Sequence, residues 1–187
     1  MSVHRYNLKN IVAAVFATVM FSLPAWSGEA TRLDRLFAQL QKADEAAAPA
    51  IAKDIALELS KSGSPAMDFL LRRGKNALEA GDLAAARDHL GALVDHAPKF
   101  AEAWHVRAIA RARAGLLGPA LADLEHALAL EPRHYTALYS LGSLLEETGQ
   151  EELAVRAYEA ARDIHPHDPD TLAALERLSH VTQGTQL

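Results

Sequence analysis

The chain has 187 residues, 50% hydrophobic and only 6% aromatic, with no cysteine and a formal net charge of -5. That size suits one domain with an aliphatic core, and a composition rich in Ala and Leu favours helix. The acidic balance argues against a nucleic-acid binder that tracks phosphates, and the missing cysteines exclude disulfides, thiolate metal sites and a cysteine nucleophile.

In chain order, Arg5 and Lys9 come first, then the uncharged apolar run Ile11–Leu23, then the small residues of "PAWSGEA". This order predicts a secretory signal peptide over residues 1–27, cleaved after Ser27 or, as second choice, after Ala30. The run is shorter than the roughly 20 residues a membrane span needs. An uncleaved anchor is the alternative, and only then would the chain meet a membrane. No Arg-Arg pair precedes the run, and no cysteine is present to carry a lipid. The general export route is therefore expected, with a periplasmic or secreted product. Cleavage removes Arg5 and Lys9 and no acid, leaving a more acidic protein.

Residues 28–63 predict two helices. Leu33, Leu36, Phe37 and Leu40 share one helical face, as do Ile51, Ile55 and Leu59, and the second segment ends at Gly63. They read as an N-terminal helical cap, with docking or self-assembly through these helices as the alternative. Ser64 and Pro65 supply the next N-cap and first helical residue.

From there the chain repeats. Gly81, Gly115 and Gly149 are 34 residues apart, and so are Ala86, Ala120 and Ala154, and Pro98, Pro132 and Pro166. Leu70, Trp104 and Leu138 are large; Gly74, Ala108 and Gly142 are small; Leu90, Leu124 and Tyr158 are large again. Large residues facing small ones let two helices approach closely. Each Gly suits a left-handed turn, where a Cβ costs about 1–2 kcal/mol, and each Pro marks the stop of a second helix. The unit is helix, tight turn, helix, Pro-bearing connection. The units span residues 64–98, 101–132 and 135–168. Residues 169–187 follow as a closing helix over Pro169–Val181, carrying Leu172, Leu175 and Leu178, and a frayed tail.

The period, the turn "AGDLAAA", the ends "EP" and "HP", and the placing of Trp104 and Gly142 resemble the tetratricopeptide repeat (TPR) family over Met67–Asp168. The resemblance implies an all-α, right-handed α-solenoid of three helix pairs, with an N-terminal helical capping pair resembling a degenerate repeat and a C-terminal capping helix. It also implies a non-enzymatic adaptor or scaffold that binds a protein or peptide on its concave face, and the predicted signal peptide makes it an exported one. By matching positions, the groove would be lined by Leu71, Lys75, Leu78, His105, Ile109, Arg113, Tyr139, Ser143 and Glu146, with Leu71, His105 and Tyr139 aligned along its floor. In the subtype that clamps a C-terminal carboxylate, Lys, Asn and Arg stand where this chain has Leu71, Lys75, Val106, Thr136 and Ser140, so no such clamp is expected. Arg73, Arg107 and Arg111 replace apolar residues of the family pattern. Either their stems cover apolar surface, or they form a ladder between units paired to acids such as Asp82 and Asp123.

No phosphate loop, dinucleotide fingerprint or nucleophile elbow is present, so neither a cofactor nor catalysis is expected. His165, His167 and Asp168 are a weak candidate metal set, three local ligands where a closed site takes three or four, and they are placed in a polar connection. His89, His96, His126 and His134 are expected at the surface. His105 is expected to titrate near pH 6.5 in the groove.

Overall fold

A computed structural model describes residues 30–179, and everything below concerns those residues. The expected signal peptide and the end of the C-terminal segment lie outside them. The described chain forms helices α1 (Arg32–Leu40), α2 (Ala48–Leu59), α3 (Pro65–Glu79), α4 (Leu83–His96), α5 (Ala101–Arg113), α6 (Leu117–Leu130), α7 (Tyr135–Glu147), α8 (Glu151–Ile164) and α9 (Pro169–Arg177). The architecture is an all-α solenoid of three helix pairs: α3/α4, α5/α6 and α7/α8.

The repeated glycines make the turn within each pair. Gly81, Gly115 and Gly149 have φ of 75°, 74° and 73°. The residue after each glycine donates its N–H five positions back, from Asp82 to Ala77, Leu116 to Arg111 and Gln150 to Leu145, at 2.8–2.9 Å. The glycine N–H bonds three positions back, and together these satisfy the carbonyls left free at the helix end.

The small column sets the distance between paired helices. A Cβ on Gly142 would stand 2.6 Å from the Tyr158 ring, and one on Gly74 would stand 2.6 Å from Leu90. Ala108 and Leu124, both buried, repeat the match in the middle unit. First helices of consecutive units touch, α3 with α5 and α5 with α7, more extensively than consecutive second helices do. The first helices therefore lie on the inside of the curve.

The Arg substitutions resolve in different ways. Arg107 donates from Nε and Nη2 to Asp123 at 2.8 and 2.7 Å, and Arg111 Nη1 stands 2.8 Å from the same carboxylate. This joins α5 to α6 inside one unit, so Asp123 is the paired acid but not in a ladder between units. Asp82 instead caps α4 through Ala85 N–H, and Arg73 is exposed beside the Phe69 ring.

α9 packs at the other end, against α8. Asp168 caps it by accepting from Thr171 N–H, and Ala174 and Leu178 are buried. Of its expected stripe, Leu172 is 42% exposed, because Ala174 and Leu178 take the inward face. Arg177 locks the helix to α7 with two bonds to Glu146 at 2.8 and 2.9 Å.

The N-terminal pair is present but caps by a different route from stacking on the first unit. α2 and α3 are consecutive yet make little contact. The chain reverses at Ser62–Ser64, where Gly63 has φ 83° and Ser62 bonds Asp68 through its N–H and its hydroxyl at 2.7 and 2.6 Å. The pair then lies back along the later units. Arg133, in the α6–α7 connection, bonds Asp34 at 2.7 Å and covers the Phe37 ring at 4.6 Å. Leu36, Phe37, Leu40, Ala48 and Ile55 join one apolar cluster with residues of α5–α9. The free end of the first unit keeps Phe69 half exposed. The apolar stripe read as a possible docking element is thus used within the chain itself.

This attachment should weaken in acid. Asp34 is pulled from its ordinary 3.8 to about 2, chiefly by the Thr31 hydroxyl in the capping box that opens α1 and then by Arg133. A carboxyl depressed on folding contributes stability that is present above its unfolded value and lost as pH falls through its folded one. Between pH 4 and 2, hydrogen exchange in α1 should accelerate, and Asp34→Asn should show fast exchange already at pH 7 and a flatter profile. An unchanged profile in the variant would remove Asp34 as the anchor.

Candidate functional site

Two features occupy the inner side of the solenoid. The first is a buried polar cluster. Glu102 and His105 stand one turn apart on α5, and His134 precedes α7. Glu102 Oε2 lies 3.2 Å from His105 Nδ1 and 2.9 Å from His134 Nε2. Lys75 Nζ, from α3, reaches Glu102 Oε1 at 2.5 Å and Ser60 Oγ, at the end of α2, at 3.3 Å. The N-terminal pair therefore reaches the cluster's neighbours, through Ser60 on Lys75 and through the Asp34–Arg133 bond one residue from His134.

The electrostatics follow from burial. Desolvation works to raise the Glu102 carboxyl, but hydrogen bonds from both imidazoles outweigh it and hold the group well below the usual carboxylate range. It is a carboxylate, so both facing ring nitrogens carry hydrogens and donate. Burial pushes His105 below 6.5, against the pull of Glu102. The expectation of titration near pH 6.5 is corrected: His105 is a buried neutral imidazole at pH 7. Its Nε2 lies 3.1 Å from Ser140 Oγ, and His134 Nδ1 lies 3.0 Å from Thr136 Oγ1.

The second feature is an open cavity of about 530 Å³ between α5 and α7, with Ile109, Ala112, Arg113, Tyr139, Ser143 and Glu147 on its walls. Ser140 belongs to both features. Arg113 donates to Leu78 C=O at 3.2 Å, and the Tyr139 ring leans on Tyr158 at 5.4 Å.

Of the residues expected to line a groove, Ile109, Arg113, Tyr139 and Ser143 meet at this cavity. Leu71 and Leu78 are buried in the apolar cluster around α3–α5. Lys75 and His105 belong to the polar cluster. Glu146 accepts from Tyr158 Oη at 3.0 Å as well as from Arg177. His134, expected at the surface, is 1% exposed. One signal in the sequence bore on it: in the 34-residue frame His134 shares a column with Phe100, also buried. His165 is buried against Tyr135 with ring centroids 5.0 Å apart and Nδ1 3.7 Å from Asp168, whose carboxylate caps α9. Among the described residues, the three ligand-type groups that converge within 4.8 Å are Glu102, His105 and His134.

A family model described as tetratricopeptide repeat matches residues 71–122 and 107–169. This chain belongs to the tetratricopeptide repeat family. A TPR repeat-containing protein of Rhizobium etli is 33% identical over 163 residues, covering 87% of this chain and 80% of that one. Among solved TPR structures, the first TPR of Spaghetti (RPAP3), bound to an HSP90 peptide, matches with TM-score 0.60 and 21% identity, covering 63% of this chain and 93% of the other. The Yersinia enterocolitica type III secretion chaperone SycD, in complex with a peptide of the translocator YopD, matches with TM-score 0.56 and 14% identity, over 65% and 92%. At these identities the likeness to solved structures is one of TPR fold.

Proposed function

We propose that this TPR protein is a non-catalytic scaffold that holds an extended segment of another polypeptide in the cavity between α5 and α7. The observation that carries the reading is the cavity itself. Its walls combine apolar Ile109 and Ala112 and the aromatic Tyr139 with Ser140, Ser143, Arg113 and Glu147. An apolar floor with a few convergent polar groups suits one anchoring side chain and the peptide groups beside it. That two TPR neighbours were solved with peptides supports a peptide as the ligand class. A clamp for an acidic C-terminal tail is disfavoured, because Lys75 is already bonded to Glu102.

We place this activity outside the cytoplasm, on the export signal read in residues 1–27. The test is a peptide library presented to the mature protein, with binding read by fluorescence anisotropy. Ile109→Asp with Tyr139→Ala should weaken the best ligand at least tenfold while helical content is kept. Unchanged affinity would move the site elsewhere. Leu71 and His105 are unsuitable for this test, since both are buried and their loss would perturb the core.

A further inference from the structure

We propose that Glu102, His105 and His134 form a zinc-type divalent metal site, separate from the peptide cavity and joined to it through Ser140. The donor set is two imidazole nitrogens and one carboxylate oxygen, which suits zinc and its borderline neighbours. All three residues are buried, and their ligand atoms lie within 4.8 Å of one another. The two nitrogens stand 3.2 and 2.9 Å from Glu102 Oε2. Ligands about 2.0–2.1 Å from a tetrahedral zinc are about 3.3 Å apart, so small side-chain movements convert the hydrogen-bonded cluster into three legs of a tetrahedron.

The surroundings are those a metal site needs. A ligating His holds its other nitrogen in a hydrogen bond that sets the tautomer. Here the remote nitrogens, His105 Nε2 and His134 Nδ1, already face Ser140 Oγ at 3.1 Å and Thr136 Oγ1 at 3.0 Å. A ring that ligates the metal carries its proton on that remote nitrogen and offers the lone pair of the inward nitrogen. Ser140 can accept in the new arrangement because its own hydroxyl also reaches Thr136 C=O at 2.9 Å. The charge that now balances Glu102 is the Lys75 ammonium, at 2.5 Å from Oε1. The Lys75 side chain is 36% exposed, so it can swing out to water when a cation replaces it. Lys75 is thus a competitor of the metal, not a ligand.

The experiment is calorimetric titration of the full chain with zinc chloride, followed by cobalt(II) absorption as a report of tetrahedral geometry. The expected result is one equivalent of zinc and a visible tetrahedral cobalt band. Glu102→Gln and His134→Gln should each lose at least tenfold in affinity, whereas a His165→Gln/His167→Gln double variant should bind as the parent does. Lys75→Met should tighten zinc binding about tenfold. This variant alters a partly exposed side chain, so it decides the matter if the buried variants fail to fold. Absence of stoichiometric zinc binding, loss of binding in the His165/His167 variant, or weaker binding in Lys75→Met would each overturn the proposal. The peptide test reads Ile109 and Tyr139 and stands or falls separately.

Discussion

Replacing Asp123 by alanine should lower the free energy of unfolding by about 3–5 kcal/mol, the cost of stripping one partner from a buried ion pair. Asp123 is 2% exposed and holds two cations, Arg107 in a two-pronged fork and Arg111 beside it. The Arg107 side chain is 11% exposed and its guanidinium lies 4.6 Å above the Trp104 ring, so it cannot turn to water without giving up that stack. The alanine variant would leave Arg107 uncompensated next to a like charge. Urea unfolding measures the loss. The combined change Arg107→Met with Asp123→Leu should recover most of it, because a well-packed apolar pair is often as stable as a buried ionic one. A loss in Asp123→Ala below about 1 kcal/mol would mean that the pair is effectively solvated.

The second large effect concerns the N-terminal pair. Phe37→Ala should cost about 3–5 kcal/mol, as for other buried Phe truncations. Phe37 is 5% exposed, sits under the Arg133 guanidinium, and shares its apolar cluster with Tyr135, Leu138 and Leu141 of α7. Its loss should free α1 and α2 together, because Leu40 and Ile55, each fully buried, depend on the same docking. Hydrogen exchange should then show α1 and α2 opening while α5–α8 stay protected. Exposure of the Glu102 carboxylate should follow, since the pair borders that cluster. A loss near zero, with α1 still protected, would show that the pair is held by something other than this contact.

These two cases also mark how far the sequence could be read. The pairing of large with small columns foretold that Tyr158 would meet Gly142 and Leu90 would meet Gly74, because helix contacts inside one unit recur at fixed local spacing. Asp123 was legible as an acid that an Arg would seek. That its partners lie within the unit depended on which way the Arg stems turn, and a column of charges does not specify that. The cavity residues Ile109, Arg113, Tyr139 and Ser143 were reachable by matching positions to the family that the repeat resembles, because the repeat frame gives equivalent places and the family gives the face. His134 was not recognised, because it lies in a connection, and connections are assumed polar and wet unless something covers them.

The sequence by itself determined the elements, the turns and the stacking of three units. A 34-residue period, a residue that tolerates positive φ and a small residue at each helix crossing leave one local answer, repeated. The tertiary structure alone decided where α1 and α2 come to rest. Their apolar stripes fit either the open end of the first unit or the later units, and amphipathic spacing does not tell these surfaces apart. Long-range pairs settled it: Arg133 with Asp34 and Phe37, and Lys75 between Ser60 and Glu102, each joining residues distant in the chain. The same docking borders Glu102, His105 and His134, residues whose meeting no local pattern records.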